Sequence, residues 1–165
     1  MVFAECGAAA QMDDVARRAG VGVGTVYRHF PTKEALMGEL VRQKFRLFAD
    51  RAREALEQEG EPFATLADVM RRNAESTAHD VATQQVLAGA DEQIWTQARA
   101  EQEELIALTD ELIARAREAG TIRPDVKATD IGMLMCGVCS SMAFTLPGFD
   151  WRRHLDFVID TLRPR

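Results

Sequence analysis

Gly20, Gly22 and Pro31 punctuate the stretch MDDVARRAGVGVGTVYRHFPTK (residues 12–33), and that spacing constrains the fold more than any other feature of the chain. A short helix is expected over 13–19. Asp13 and Asp14 stand at its start and Arg17 and Arg18 at its end, the order the helix macrodipole favours. Gly20 stops it, Val21 and Gly22 carry a tight turn, and a second helix runs over 23–30 until Pro31 ends it. Thr32 then caps a long helix over 33–57, with Glu34 in its first turn. The pattern is that of a helix-turn-helix.

Beyond Gly60 and Pro62 the helical period continues. Phe63, Leu66, Met70, Ala74 and Thr77 share one stripe, a weaker helix covers 81–90, and a long one covers 91–119. Gly120 closes that helix, and the last two span 128–145 and 151–162, separated by Pro147 and Gly148. Strand-like alternation and internal repeats are both lacking. The expected fold is all-α, with a helix-turn-helix head over residues 1–46 and a helical ligand-binding and dimerisation domain over 47–165.

On the second short helix, about 100° per residue puts Val23, Val26 and Phe30 on one side, where they would pack against Val15 and Ala19. Gly24, Thr25 and Arg28 face away, flanked by Tyr27 and His29. A bare glycine lets the backbone approach a phosphate or base edge. Thr25 can donate to a phosphate or touch a thymine methyl, and Arg28 can bond guanine through two hydrogen bonds. Tyr27, His29 and Lys33 suit contacts to the DNA backbone.

The net charge of −6 argues at first against a nucleic-acid partner, but its distribution does not. Residues 1–53 hold nine Lys/Arg against six Asp/Glu, a net of +3, while the remainder holds 11 against 20, a net of −9. Phosphate contacts act within a Debye length of about 8–10 Å, so a basic head can bind DNA despite an acidic body.

The string GVGVGTVYRHFPTKEALM resembles the helix-turn-helix of the tetracycline-repressor (TetR) family of bacterial transcription regulators. The matching residues are Asp14, Val15, Ala16, Ala19, Gly20, Val21, Gly24, Thr25, Val26, Tyr27, His29, Phe30, Lys33, Glu34 and Leu36. Phe3 to Gly7 resembles the end of the family's first helix, most of which is expected to be missing, and Gly120 to Asp125 matches a family connector. The resemblance implies a nine-helix subunit that dimerises through its last two helices and a small ligand bound inside the body. It also implies DNA contacts from Thr25, Tyr27, Arg28 and His29 and a phosphate contact from Lys33. Gln11 and Gly22 stand where the family often has Ser or Thr, so side-chain caps are expected to be lost there.

A pocket for an apolar or aromatic effector is expected from Met70, Trp95, Met133, Cys136 and Met142, because methionine adapts to varied shapes. Gly132, Gly137, Ser140, Ser141 and Ala143 would let the penultimate helix approach its two-fold mate. The apolar face of the last helix (Leu155, Phe157, Val158, Ile159 and Leu162) would complete a four-helix interface. Cys136 and Cys139 have the spacing of a redox pair, yet they lie in an apolar helix with no second pair and no nearby His. No metal site, cofactor or catalytic constellation stands out, so an enzyme is not expected.

Three cysteines do not suggest a disulfide framework, and no apolar run reaches about 18 residues, so a cytoplasmic protein without a membrane partner is expected, and the family it resembles implies a bacterial one. The partners are then an operator duplex, a small effector and a second copy of the chain. The leading expectation is a repressor released from a palindromic operator by its effector. The alternative is a regulator-like helical dimer that has lost DNA binding and acts as a ligand-binding or interaction module.

Overall fold

The computed structural model describes residues 11–80, 83–84, 86–87, 90–144 and 146–164. Among these the fold is all-α, without strands. In chain order the helices are α1 (Met12–Ala19), α2 (Val23–His29), α3 (Lys33–Glu57), α4 (Pro62–Ala78), α5 (Glu92–Gln97), α6 (Arg99–Glu118), α7 (Ala128–Ser141) and α8 (Trp151–Thr161). Phe3 to Gly7, read above as the end of a first helix, lies outside the described residues. The helix expected over 81–90 does so in part; Thr83, Gln84, Val86 and Leu87 are helical.

Helix ends follow the local chemistry. Gly20 adopts φ 69° and ends α1. Its N–H bonds the Arg17 carbonyl at 3.3 Å and the Val21 N–H bonds that of Ala16 at 3.1 Å, the paired bonds of a Schellman motif. Phe30 is extended ahead of Pro31, as a residue before proline must be. The Thr32 hydroxyl accepts from Ala35 N–H at 3.1 Å and caps α3. Pro62 opens α4, while the Glu61 carboxylate accepts from Phe63 N–H and Ala64 N–H at 2.9 and 2.7 Å. Burial alone would raise the Glu61 pKa; these amide bonds, with a Thr121 hydrogen bond and the Arg163 charge, outweigh it and hold the carboxyl below its usual range.

The single helix expected over 91–119 is instead two. Ala98 leaves the helical region at φ −102°, ψ 9°, and its N–H bonds the Trp95 carbonyl at 3.2 Å. Asp91 caps the first piece by accepting from Ile94 N–H at 3.0 Å. Ala98 is fully buried, so packing rather than propensity sets the break.

Two compact units result: Met1–Arg46 with His79–Gln102, and Leu47–Ala78 with Glu103–Arg165. In the first, Met12, Ala16, Val26, Leu36, Met37, Val41, Val86, Ile94 and Ala98 form the core. In the second, the core gathers Phe63, Leu66, Met70, Leu112, Ile113, Val138, Leu155 and Ile159, with α7 packed on α4 and α8. Each such buried side chain contributes about 1.5–3 kcal/mol.

Leu155, Val158, Ile159 and Leu162 are all buried within this second core, which corrects their expected place on a dimer face. Spaced at three and four residues, they form the stripe that α8 turns to its own protomer. Phe157 lies off that stripe and is 55% exposed.

Candidate nucleic-acid interface

Helix α2 is the centre of the candidate site. Its core side is narrower than the periodicity implied: Val26 is buried and Phe30 half-buried, but Val23 and Ala19 are exposed. Two-turn helices leave their end residues beyond the reach of a short neighbour, so only the middle of each seals the contact. Neither Gln11 nor Gly22 supplies a side-chain cap, as their chemistry implied.

Gly24, Thr25 and Arg28 come together. The Arg28 guanidinium turns back along the helix, its Nε donating to the Gly24 carbonyl at 3.2 Å and a terminal nitrogen to Thr25 Oγ1 at 3.5 Å. A Cβ built at Gly24 would meet no atom within 4 Å, and φ there is not in the left-handed region. Nothing inside the chain therefore requires glycine at this position. Its missing side chain leaves α2 backbone open to an incoming surface.

Tyr27 is 46% exposed, His29 is exposed, and Lys33 is half-buried at the start of α3. Arg28 and His29 fall in the last turn of α2, and no acidic residue lies in its first turn. The exposed polar side chains of α2 thus include hydrogen-bond donors and no carboxylate, the chemistry that meets phosphates and guanine edges.

The residues expected to line an effector pocket fall in both compact units. Met70 is buried in the second unit, with Met142 packed half-buried against the same core. Met133 is 77% exposed and Cys136 is exposed on the outer face of α7, so neither walls an enclosed cavity of the protomer. Trp95 belongs to the first unit, where it stacks on Phe45 at 6.1 Å and donates to the Ala90 carbonyl at 3.1 Å. A cavity of ≈ 40 Å³ in the second unit is lined by Ala55, Gln58, Gly60, Pro62, Thr65, Leu112 and Arg115, none of them anticipated. It is about the size of one water molecule.

Among the described residues no three His, Cys, Asp or Glu side chains cluster to hold a metal ion. No helix among them is long and apolar enough to cross a membrane. Exposed large apolar residues near the C-terminal end include Met133, Phe144, Leu146, Phe149 and Phe157, spread over α7, α8 and the loop between them.

A helix-turn-helix at the head of an all-α chain, with donors on the outer face of its second helix, defines a DNA-binding regulator. Residues 1–40 match the family model described as bacterial regulatory proteins, tetR family, and residues 61–164 match that of the SbtR-like transcriptional regulator C-terminal domain. The chain belongs to the TetR family.

Among solved structures it is similar to the TetR transcription regulatory protein from Mycobacterium vanbaalenii, at 36% identity over 99% of this chain and 89% of that one, with a TM-score of 0.65. It is likewise similar to the TetR regulator SCO0520 from Streptomyces coelicolor, at 31% identity over 99% and 93%, with a TM-score of 0.64. Its fold is also that of FadR from Bacillus subtilis, solved in complex with stearoyl-CoA, at 20% identity over 98% and 92%, with a TM-score of 0.80. None of the curated proteins compared matches the chain. Family membership gives a ligand-responsive, DNA-binding regulatory role rather than a catalytic one, and dimerisation through the C-terminal helices.

Proposed function

We propose that this chain is a homodimeric repressor that binds a palindromic operator and leaves it when a small apolar or aromatic effector binds. In this reading residues 1–46 are the DNA-binding domain and 47–165 the ligand-binding and dimerisation domain. Gly24, Thr25, Tyr27, Arg28, His29 and Lys33 meet DNA. Two α2 helices enter successive major-groove segments, and dimer symmetry sets the half-site spacing.

The observation that carries the reading is the outer face of α2, where Arg28 lies over Gly24 and Thr25 and the space beside Gly24 is empty. An effector would act through a difference in affinity between DNA-competent and incompetent states, and about 1–3 kcal/mol of coupling alters operator affinity roughly 5–150-fold. Its leverage on the head runs through His79–Gln102, a segment of the same compact unit. There Trp95 stacks on Phe45 of α3, and the Gln97 side chain lies against Gly38.

Selection of bound duplexes from a random library, followed by electrophoretic titration, tests the reading. Enrichment of an inverted repeat supports it, and a library that emerges unenriched overturns it. A reporter placed behind the enriched repeat then gives the sign of regulation, with silencing by the wild-type chain expected.

A further inference from the structure

Val23 is exposed where the periodicity of α2 would bury it. It opens the helix at 40% exposure, while Val26, three residues on, is buried to 7%. A β-branched apolar residue gains nothing from an exposed helical position, where Ala, Lys or Glu would favour the helix more. Nor does the motif core need it, since Met12, Ala16 and Val26 close that core without it.

Its neighbours define what Val23 can touch. Gly24 beside it is bare, with open space where a Cβ would stand, and Tyr27 one turn away is 46% exposed. The Thr25 hydroxyl, by contrast, lies 3.5 Å from the Arg28 guanidinium and is engaged in polar contact. The outer face of α2 therefore carries polar reading groups at Thr25 and Arg28 and an open backbone at Gly24, while Val23 exposes an isopropyl group at the leading end of the helix, one turn before Tyr27. In the major groove, base pairs display donors, acceptors and one apolar group, the C5-methyl of thymine.

We infer that Val23 reads a thymine methyl in each half-site of the operator. The inference rests on the DNA-binding reading above and adds a base preference to it. Burying one methyl group against the isopropyl corresponds to about a fourfold change in affinity, and roughly 15-fold over two half-sites.

The probe is the inverted repeat enriched by the wild-type chain, synthesised once with thymine and once with deoxyuridine, which lacks only the C5-methyl. Titrations use the wild-type chain, Val23→Ala, and Thr25→Ser, which keeps its hydroxyl. The wild-type chain and Thr25→Ser are expected to bind the deoxyuridine duplex about fourfold to 15-fold more weakly than the thymine duplex. Val23→Ala is expected to bind both alike; at an exposed position Ala also preserves the helix. Equal wild-type affinity for the two duplexes overturns the inference while leaving DNA binding intact. Sensitivity that persists in Val23→Ala and disappears in Thr25→Ser also overturns it, by assigning the methyl to Thr25. Absence of any bound duplex is a different result: it removes the DNA-binding reading and this inference with it.

Discussion

Lys44, only 6% exposed on α3, places its Nζ 3.4 Å from Asp80 Oδ2. Asp80 also accepts from the Thr83 N–H at 3.1 Å and the Thr83 hydroxyl at 2.5 Å. One carboxylate thus pairs with a buried ammonium and accepts from both the backbone and the side chain of Thr83. Burial by itself would raise the Asp80 pKa. The Thr83 hydrogen bonds and the Lys44 charge outweigh burial and hold it below the ordinary value of 3.8.

Asp80→Asn is expected to cost about 1.5–3 kcal/mol, the range for a hydrogen bond to a charged group. The pH dependence has a definite sign. Because the folded pKa is depressed, the stabilisation is present above the unfolded value near 3.8 and is lost as pH falls through the lower folded value. Thermal melts of both proteins should therefore differ most at neutral pH and converge in acid, once the pH has fallen through the depressed folded value. A difference unchanged by acid would refute the assignment.

Gly38 is buried on α3, and a Cβ built there would lie 2.5 Å from Gln97 Oε1 and 2.9 Å from its Cδ. Helix propensity favours Ala over Gly by about 0.8–1 kcal/mol, whereas the collision opposes the substitution. Gly38→Ala should therefore be better tolerated in a Gln97→Ala background than in the wild type, with part of the propensity gain still opposed by the Cβ that remains at position 97, 3.2 Å away. Denaturant titration of the four proteins gives the coupling directly; additive effects would show that the Gln97 side chain moves aside at no cost.

Arg28→Ala and Lys33→Ala should weaken DNA binding in different ways. Loss of a two-bond guanine contact costs about 1–3 kcal/mol on the preferred sequence and relaxes discrimination at that base pair. Loss of a phosphate contact weakens all sequences alike and lowers the salt slope by about one. Titrations at several salt concentrations against matched and mismatched duplexes separate the two. Unchanged binding in both variants would remove α2 as the reading helix.

Phe157 and Leu155 stand two residues apart on α8 with opposite roles. Leu155 is 3% exposed in the core, and Leu155→Ala is expected to cost about 2–5 kcal/mol of stability. Phe157 is 55% exposed, so Phe157→Glu should leave the fold intact while shifting sedimentation from dimer to monomer. A variant that stays dimeric would place the interface elsewhere on these helices.

Much of this architecture is legible in the sequence because its signals are local. Gly20 in the left-handed region, Thr32 as a cap, Phe30 extended before Pro31 and Pro62 at a helix start each act through their own backbone geometry. The grouping of Gly24, Thr25 and Arg28 was legible for the same reason, since spacing within a single helix holds them together.

Other features have no local signal. Ala98 is the best helix former by propensity, yet it breaks a helix because its burial among Ile94, Val41 and their neighbours decides its backbone. Lys44 reads as a surface residue until Asp80, 36 positions away, meets it in the fold. Met133 and Met70 look alike in a sequence, and only the packing of α7 and α4 leaves one outward and sends the other into the core. Residue type and short-range periodicity determined the helices, the turn and the chemistry of the α2 face. Burial, pairing and the exposure of Val23 depend on which distant segments arrive at each position, and tertiary structure alone decides that.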